Sequence, residues 1–337
     1  MRKVLAGMIV LAAIVVAGWL WAETRLVEQA RTWIATEPAI DAAAVQPLRD
    51  PRRLGLRLQD PVFRDPVAQL SLPWARLSLA PLSPTTARLD LPEQGRLTLA
   101  GREHDLTMRN PGGSLRLSPL NRMAPDRLNL SMGEVSLAGQ ALARQVQVEA
   151  RLSSLRGDAP DAAGAAYDLD LWLDGLRAGT LADAGLDLGP LPDPVSVQGQ
   201  LRLWLDAAPS LRGQTPPQVV GWQAQELILN AGPLALRVAG RITRDRNGLV
   251  QGQVVLYSRD ADQMLQMAAQ LGLIPPQAQL LLRAGLAQLS QVVPDTDLPG
   301  PVYAEPAEGE MRLPIVMRDG QLILAGVPVG RAPQFAP

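Results

Sequence analysis

Residues 195–207 read VSVQGQLRLWLDA, a stretch in which apolar and polar side chains alternate almost one by one. Successive side chains of a β-strand point to opposite faces of a sheet, so this period of two predicts a half-buried strand. The same pattern recurs along the chain, for example in WARLSLA (74–80), QVQVEARL (145–152) and PLALRVAGRIT (233–243). The linking segments are too short for helical crossovers, and we therefore predict a mainly β fold with antiparallel sheets.

The arrangement of those sheets has three alternatives on sequence grounds: a bent or curved sheet, a closed sandwich, or an open groove. Residues 153–166 are small and polar and include a proline, which predicts a long loop between a first β region (41–155) and a second (156–337). Apolar residues at helical spacing predict two helices within 260–293, the first with Asp260 as its N-cap.

Turn signals predict two hairpins in the second region. DRNG at 245–248 lies between two strand patterns and predicts a hairpin over 233–258. Near the C-terminus, EMRLPIVM and QLILAG flank Arg318-Asp319-Gly320 and predict another. In the first region, Gly112-Gly113 follows Asn110-Pro111 and predicts a turn.

The N-terminus has a different character. Residues 4–21, VLAGMIVLAAIVVAGWLW, form an unbroken apolar run that as a helix reaches about 27 Å, near the thickness of a hydrocarbon core. Arg2 and Lys3 precede the run, which predicts a single-pass inner-membrane anchor over 1–22 with the body in the periplasm. A juxtamembrane helix is predicted within 23–40, with one face formed by Leu26, Ala30, Trp33 and Ile34.

A cleaved signal peptide is the alternative interpretation of this run. Its apolar region is normally shorter, about 7–15 residues, and ends at a small-x-small site. Val16-Ala17-Gly18 and Leu20-Trp21-Ala22 are the nearest such sites, and the second carries a bulky leucine. Trp19 and Trp21 suit an interfacial anchor better than a cleavage region. Both interpretations place the body outside the cytoplasm.

The amino-acid composition excludes several kinds of chemistry and argues against one class of partner. The chain has no cysteine, one histidine and a net charge of −1, and its arginines alternate with acidic residues. This excludes disulfides and thiolate chemistry, and it argues against a nucleic-acid partner. The phosphate-loop, dinucleotide-binding, hydrolase-elbow and zinc-protease motifs do not occur. We therefore predict a non-enzymatic protein with no catalytic residues and no cofactor.

Three isolated features resemble parts of a metal or acid–base site. His104 lies in an alternating strand, where its neighbours Glu103 and Asp105 point to the opposite face, so few ligands converge on it. Asp168/Asp170 alternate with leucines as on a solvated strand face, and Asp295/Asp297 lack the oxygen-rich loop that calcium requires. We predict no metal site.

One feature recurs in strand after strand along the sequence: one face of each strand is rich in leucine. Its interpretation as the interior of a closed sandwich requires no ligand, whereas its interpretation as an open groove suggests bound acyl chains. Alternation alone does not separate the two. The candidate groove residues are five leucines of neighbouring strands: Leu201, Leu203, Leu205, Leu227 and Leu229.

The anchor segment GWLWAETRLVEQA and the C-terminal GEMRLPIVMRDGQLILAGVPVGRAPQF resemble a family of exported Gram-negative proteins known as a domain of unknown function. More remotely, the anchor, the repeated short strands and the C-terminal strand-DG-strand-GxP pattern resemble the AsmA-type envelope proteins. That resemblance implies an inner-membrane protein whose β-groove handles lipid, although this chain is much shorter than the large members. The alternative is an envelope scaffold that recruits other envelope proteins through a sheet edge or the 260–293 helices.

Overall fold

The computed structural model describes residues 23–50, 52–80, 83–121, 124–189, 191–209, 217–260, 262–264, 266 and 292–335. The predicted anchor at 4–21 lies outside these residues, as does most of the predicted helical segment 260–293, of which 262–264 and 266 are described and helical. None of the described helices has the length and hydropathy required to span a bilayer.

Most of the described chain is β-strand. The strands are β1 Ile40–Asp41, β2 Ala44–Pro47, β3 Leu54–Gln59, β4 Val62–Arg64, β5 Ala68–Ser71, β6 Trp74–Ala80, β7 Ser83–Asp90, β8 Gln94–Leu99, β9 Arg102–Ser118, β10 Ala124–Leu137, β11 Gln140–Ser153, β12 Ala165–Leu176, β13 Val195–Leu205, β14 Val219–Ala231, β15 Leu234–Arg244, β16 Val250–Ser258, β17 Met311–Arg318, β18 Gln321–Leu324 and β19 Val327–Arg331. The helices are α1 (residues 23–36) and α2 (Ala178–Asp183), and a 3₁₀ turn covers Pro119–Asn121.

The strands form one antiparallel sheet in which pairing follows the order of the chain. From β9 to β19 each strand pairs with the next strand in the chain. Before β9, the short strands are halves of bent strands: β1 with β2, β3 with β4, β5 with β6, and β7 with β8. Each bent strand also pairs with the next, and both halves of the fourth pair with β9. The predicted mainly antiparallel β fold is confirmed.

The bends lie side by side in a line across the sheet, which we call the crease. Prolines mark it in three consecutive bent strands and in the adjoining β9: Pro61, Pro73, Pro92 and Pro111. Proline has no backbone N–H, so each one removes a ladder hydrogen bond and lets the strand change direction. The remaining backbone groups still bond across the crease, as in Leu72 N–H to Pro61 O (3.0 Å).

β9 passes through the crease without a break. Asn110, next to Pro111, has φ +47°, and the register with β10 shifts between Ser131 and Gly133. The predicted turn at Gly112-Gly113 is therefore wrong. A local bulge absorbs the Asn-Pro-Gly-Gly sequence while the chain continues in the same strand.

The sheet also continues across the loop that was predicted to separate two β regions. Residues 154–164 join β11 to β12, and these two strands pair over nine residue pairs from Gln145↔Asp174 to Ser153↔Ala166. The regions 41–155 and 156–337 thus share one sheet. The hairpin predicted around 245–248 is confirmed as β15–β16, and the C-terminal hairpin as β17–β18.

The two labelled helices pack on the sheet. In α1, Val27 is buried against Val45 and Leu56, and Leu26, Ala30 and Ile34 flank it. Trp33, which was predicted to share this face, is instead 52% exposed, because the packed side is centred on Val27. α2 follows β12, and its first two backbone N–H groups donate to the Asp193 carboxylate.

Candidate functional site

One face of the sheet carries a continuous row of apolar side chains. Directly paired residues in antiparallel strands project to the same face, so the register traces this row from strand to strand. Among the described strands, twelve contribute one residue each to this row. Ten of these residues have apolar side chains and two are glycines. We call it the apolar row: Leu56, Leu77, Leu89, Gly113, Leu130, Val148, Leu171, Gly199, Leu227, Val238, Leu256 and Leu313.

The apolar row is covered at its ends and partly exposed between them. Leu56 is 4% exposed under α1, and Leu313 is 1% exposed in a cluster with Met264 of the helical segment 262–264. Between these ends the side chains are half-buried, and Leu77 (38%) and Leu130 (37%) are exposed. At about 4.8 Å per strand the row extends for about 50 Å.

The five predicted groove leucines all lie on this apolar face, but at different depths. Leu227 belongs to the apolar row itself, and Leu201 lies beside it, paired with Leu169. Leu203 and Leu205 belong to a cluster around the buried Tyr167, where Leu205 is only 7% exposed. Leu229 packs at the opposite end, in the cluster of Leu234 and Leu236. Of the five, Leu201 and Leu227 therefore lie in the central, half-buried part.

The opposite face of the sheet is polar and cross-linked by ion pairs. Arg202 donates two hydrogen bonds to Asp168 (2.8 and 3.2 Å), and Arg151 approaches both Glu149 (2.7 Å) and Asp170 (3.9 Å). In the Arg202–Asp168 and Arg151–Glu149 pairs one side chain is partly buried and the other is exposed to water, which screens the pair and keeps its individual contribution small. Together the paired charges make this face hydrophilic, in contrast to the apolar face.

Residues 19–333 match the model of a family described as "Uncharacterized protein conserved in bacteria (DUF2125)". The chain belongs to this family. No curated protein and no solved structure matches the chain.

Two loops of the DUF2125 chain cover parts of the polar face. Residues 154–164 lie over Trp204, which is 1% exposed and packs against Ala166 and Val220. The guanidinium of Arg241 stacks 4.9 Å from the centre of that indole ring, and burial lowers the pKa of Arg241. This end of the polar face is thus a closed core and not a binding surface.

The second loop, 292–310, is held by a bidentate ion pair. Arg237 donates to both carboxylate oxygens of Glu310 (2.9 and 2.5 Å), and its guanidinium lies 4.6 Å from the Tyr257 ring centre. Tyr257 donates its hydroxyl hydrogen to Ala304 O of the same loop (2.8 Å). The hydrogen bonds from Arg237 hold the pKa of the Glu310 carboxyl below its ordinary value, against the opposing effect of burial.

The polar residues singled out from the sequence have structural partners. His104 lies in β9, where its Nε2 is 3.1 Å from Ala184 O after α2. Asp295 binds Arg318 (3.0 Å) and accepts from the Asp297 backbone N–H (3.0 Å). Across the described residues, the acidic residues and His104 form no cluster suited to a metal ion. These groups therefore fasten loops and strands.

Proposed function

We propose that this protein binds acyl chains of envelope lipids along the apolar row and acts without catalysis. The observation that carries the proposal is the length of the row, which presents half-buried leucine and valine side chains from strand after strand without an intervening polar side chain. Each leaflet of a bilayer has a hydrocarbon depth of about 15 Å, so a row of about 50 Å is longer than one acyl chain requires.

The binding free energy would come from the burial of apolar surface, and not from a specific polar site for the lipid head group. Burying apolar surface contributes about 25 cal/mol per Å², so several half-exposed side chains supply useful affinity together. The charged residues alternate onto the opposite face, and none projects from the traced row. The proposal therefore predicts distributed contacts with an acyl chain and little dependence on head-group charge.

The predicted anchor would keep this binding surface at the inner membrane, facing the periplasm. Protease added to spheroplasts should digest the body. Without protease, the protein should stay with the membranes after a high-salt wash, because residues 4–21 are predicted to span the bilayer. A body that resists protease in spheroplasts but not in lysed cells would contradict the orientation. A soluble product trimmed near residue 18 or 22 would support a cleaved signal peptide.

Site-specific photo-crosslinking in intact cells tests the lipid proposal with the full chain. We expect Leu201→benzoylphenylalanine and Leu227→benzoylphenylalanine to give lipid adducts on irradiation, detected by mass spectrometry of the purified protein. Gln200 is the matched control, since it is the next residue along the strand and projects to the polar face. Adding Leu227→Asp should lower the adduct yield at position 201 by about tenfold, because a carboxylate is costly to bury against an acyl chain.

Other outcomes of the same experiment would reject the proposal. Equal lipid adducts at positions 200 and 201 would show only that the sheet lies close to the membrane. Protein adducts without lipid at positions 201 and 227 would favour the alternative predicted from the sequence, an envelope scaffold. Far-ultraviolet circular dichroism of the Leu227→Asp variant separates loss of binding from loss of fold.

A further inference from the structure

The polar face has a cleft that is lined by an exposed indole. Trp172 of β12 is 47% exposed, and its side chain projects away from the apolar row because it alternates with Leu171 and Leu173. Its direct cross-strand neighbours are Gln147 on one side and Gln198 on the other. The cleft has a volume of about 620 Å³ and extends from β11 to β14, about 14 Å across the strands.

Neutral amides surround the indole. Gln147, Gln198, Gln200 and Gln225 line the cleft, and within the described ranges their side-chain amides form no hydrogen bond to the protein. Gln225 reaches the cleft through a β-bulge: Gln200 pairs with Glu226 and Leu201 with Ala224, so Gln225 is the extra residue. Bulges of this kind redirect a side chain and are common at binding sites.

The charges of the cleft select against anionic ligands. Asp170 and Glu226 line it, and the described lining residues include no arginine or lysine. From outside the lining, Arg237 binds Glu226 (3.1 Å) and Arg151 approaches Asp170 (3.9 Å), and both carboxylates present oxygen acceptors to the cleft. A ligand that fits must offer hydroxyl or amide donors and a flat apolar patch, and must not carry phosphate or sulfate.

We propose that this cleft binds a neutral oligosaccharide, with one pyranose ring stacked on Trp172. The C–H groups on one side of a pyranose carry partial positive charge and suit the negative face of an indole ring. The amides of Gln147 and Gln198 flank the indole on both sides, where sugar hydroxyls would meet both donors and acceptors. A second cleft of about 710 Å³ shares Gln147 with the first and provides room for further sugar units; its lining includes Ser114, Asn129 and Ser131 together with the charged Arg88, Asp90 and Glu93.

Titration of the purified full chain with maltohexaose, cellohexaose and chitohexaose tests this site, in a detergent without a sugar head group. We expect at least one of them to bind saturably, measured by isothermal titration calorimetry, a readout that does not depend on the Trp172 indole itself. Trp172→Ala should weaken that binding by about tenfold or more, and Trp172→Phe should retain part of it. Trp33→Ala is the matched control, since Trp33 is similarly exposed but lies on α1.

The proposal would be overturned if none of the three probes bound the wild-type protein, or if Trp172→Ala bound as tightly as wild type. Equal binding of dextran sulfate would reject the selection against anions. Gln198→Ala provides a second variant that keeps the indole in place, and a loss of affinity in it assigns hydrogen bonding to the cleft. Because this cleft lies on the face opposite the apolar row, either proposal can fail while the other stands.

Discussion

Replacing Trp204 by alanine should lower the free energy of unfolding by about 3–5 kcal/mol, a range typical of a fully buried tryptophan. The indole is 1% exposed and fills the space between the sheet and loop 154–164, where Ala159 and Ala163 are too small to collapse into a cavity of this size. The variant also removes the stacking partner of Arg241, which is itself only 8% exposed. Urea unfolding followed by circular dichroism measures the effect.

Two matched variants make the result specific. Trp204→Phe keeps an aromatic face for Arg241 and should retain part of the lost stability. Trp172→Ala alters an exposed indole in the neighbouring strand and should change stability by no more than about 0.5 kcal/mol. A loss below about 1 kcal/mol in Trp204→Ala would mean that the 154–164 loop does not form a closed core with the sheet.

Replacing Arg237 by methionine should cost about 3 kcal/mol, because it leaves the Glu310 carboxylate buried without its bidentate partner. The Glu310 side chain is 9% exposed, so water compensates little of this loss. The pH dependence follows from the lowered pKa of Glu310 in the folded protein. The stabilisation that the Glu310 carboxylate contributes is present above its pKa in the unfolded state, about 4.3. It is lost as the pH falls through the lower pKa of the folded state.

Glu310→Gln is the corresponding variant on the other side of the pair. It should be less stable than wild type at neutral pH. The difference should shrink as the pH falls below about 4.3, because the Glu310 carboxylate of the unfolded wild-type protein is then protonated, and at lower pH that of the folded protein is as well. The double variant isolates the coupling between the two residues. A coupling near zero, or a difference that grows in acid, would show that the ion pair does not fasten loop 292–310.

The sequence predicted the strands better than their arrangement. Alternation in 145–152 and 195–205 depends only on local chemistry, and both segments are half-buried strands of the predicted kind. The crease was not predicted, because each of its prolines also signals an ordinary turn, and only the register shows that they lie side by side. For the same reason the Asn110-Pro111 step suggested a turn where the structure has a bulge.

The candidate site, too, could be predicted only within single strands and not across the pairs that they form. Leu201 and Leu227 were selected from their own strands, and their half-buried positions follow from the local pattern. The same row is continued by Val148, Leu171 and Leu256. Their alignment depends on how the strands pair, and the periodicity within one strand does not specify that. The Trp172 cleft depends on a bulge in β14, a one-residue insertion that leaves no distinct mark in the alternation. Registers and bulges are properties of strand pairs and therefore escape single-strand patterns.

The strictly sequential pairing of the strands has a consequence for how such a chain can change. Each strand contacts mainly its predecessor and successor, so most pairings close short loops, β16–β17 with residues 259–310 between them being a long connection. The sheet thus resembles a linear repeat array with nearest-neighbour coupling. Inserting one hairpin at a turn would lengthen the apolar row by about 10 Å and leave both capped ends intact. Removing one would shorten it by the same amount. The number of strands therefore sets the length of the apolar row in a chain of this design.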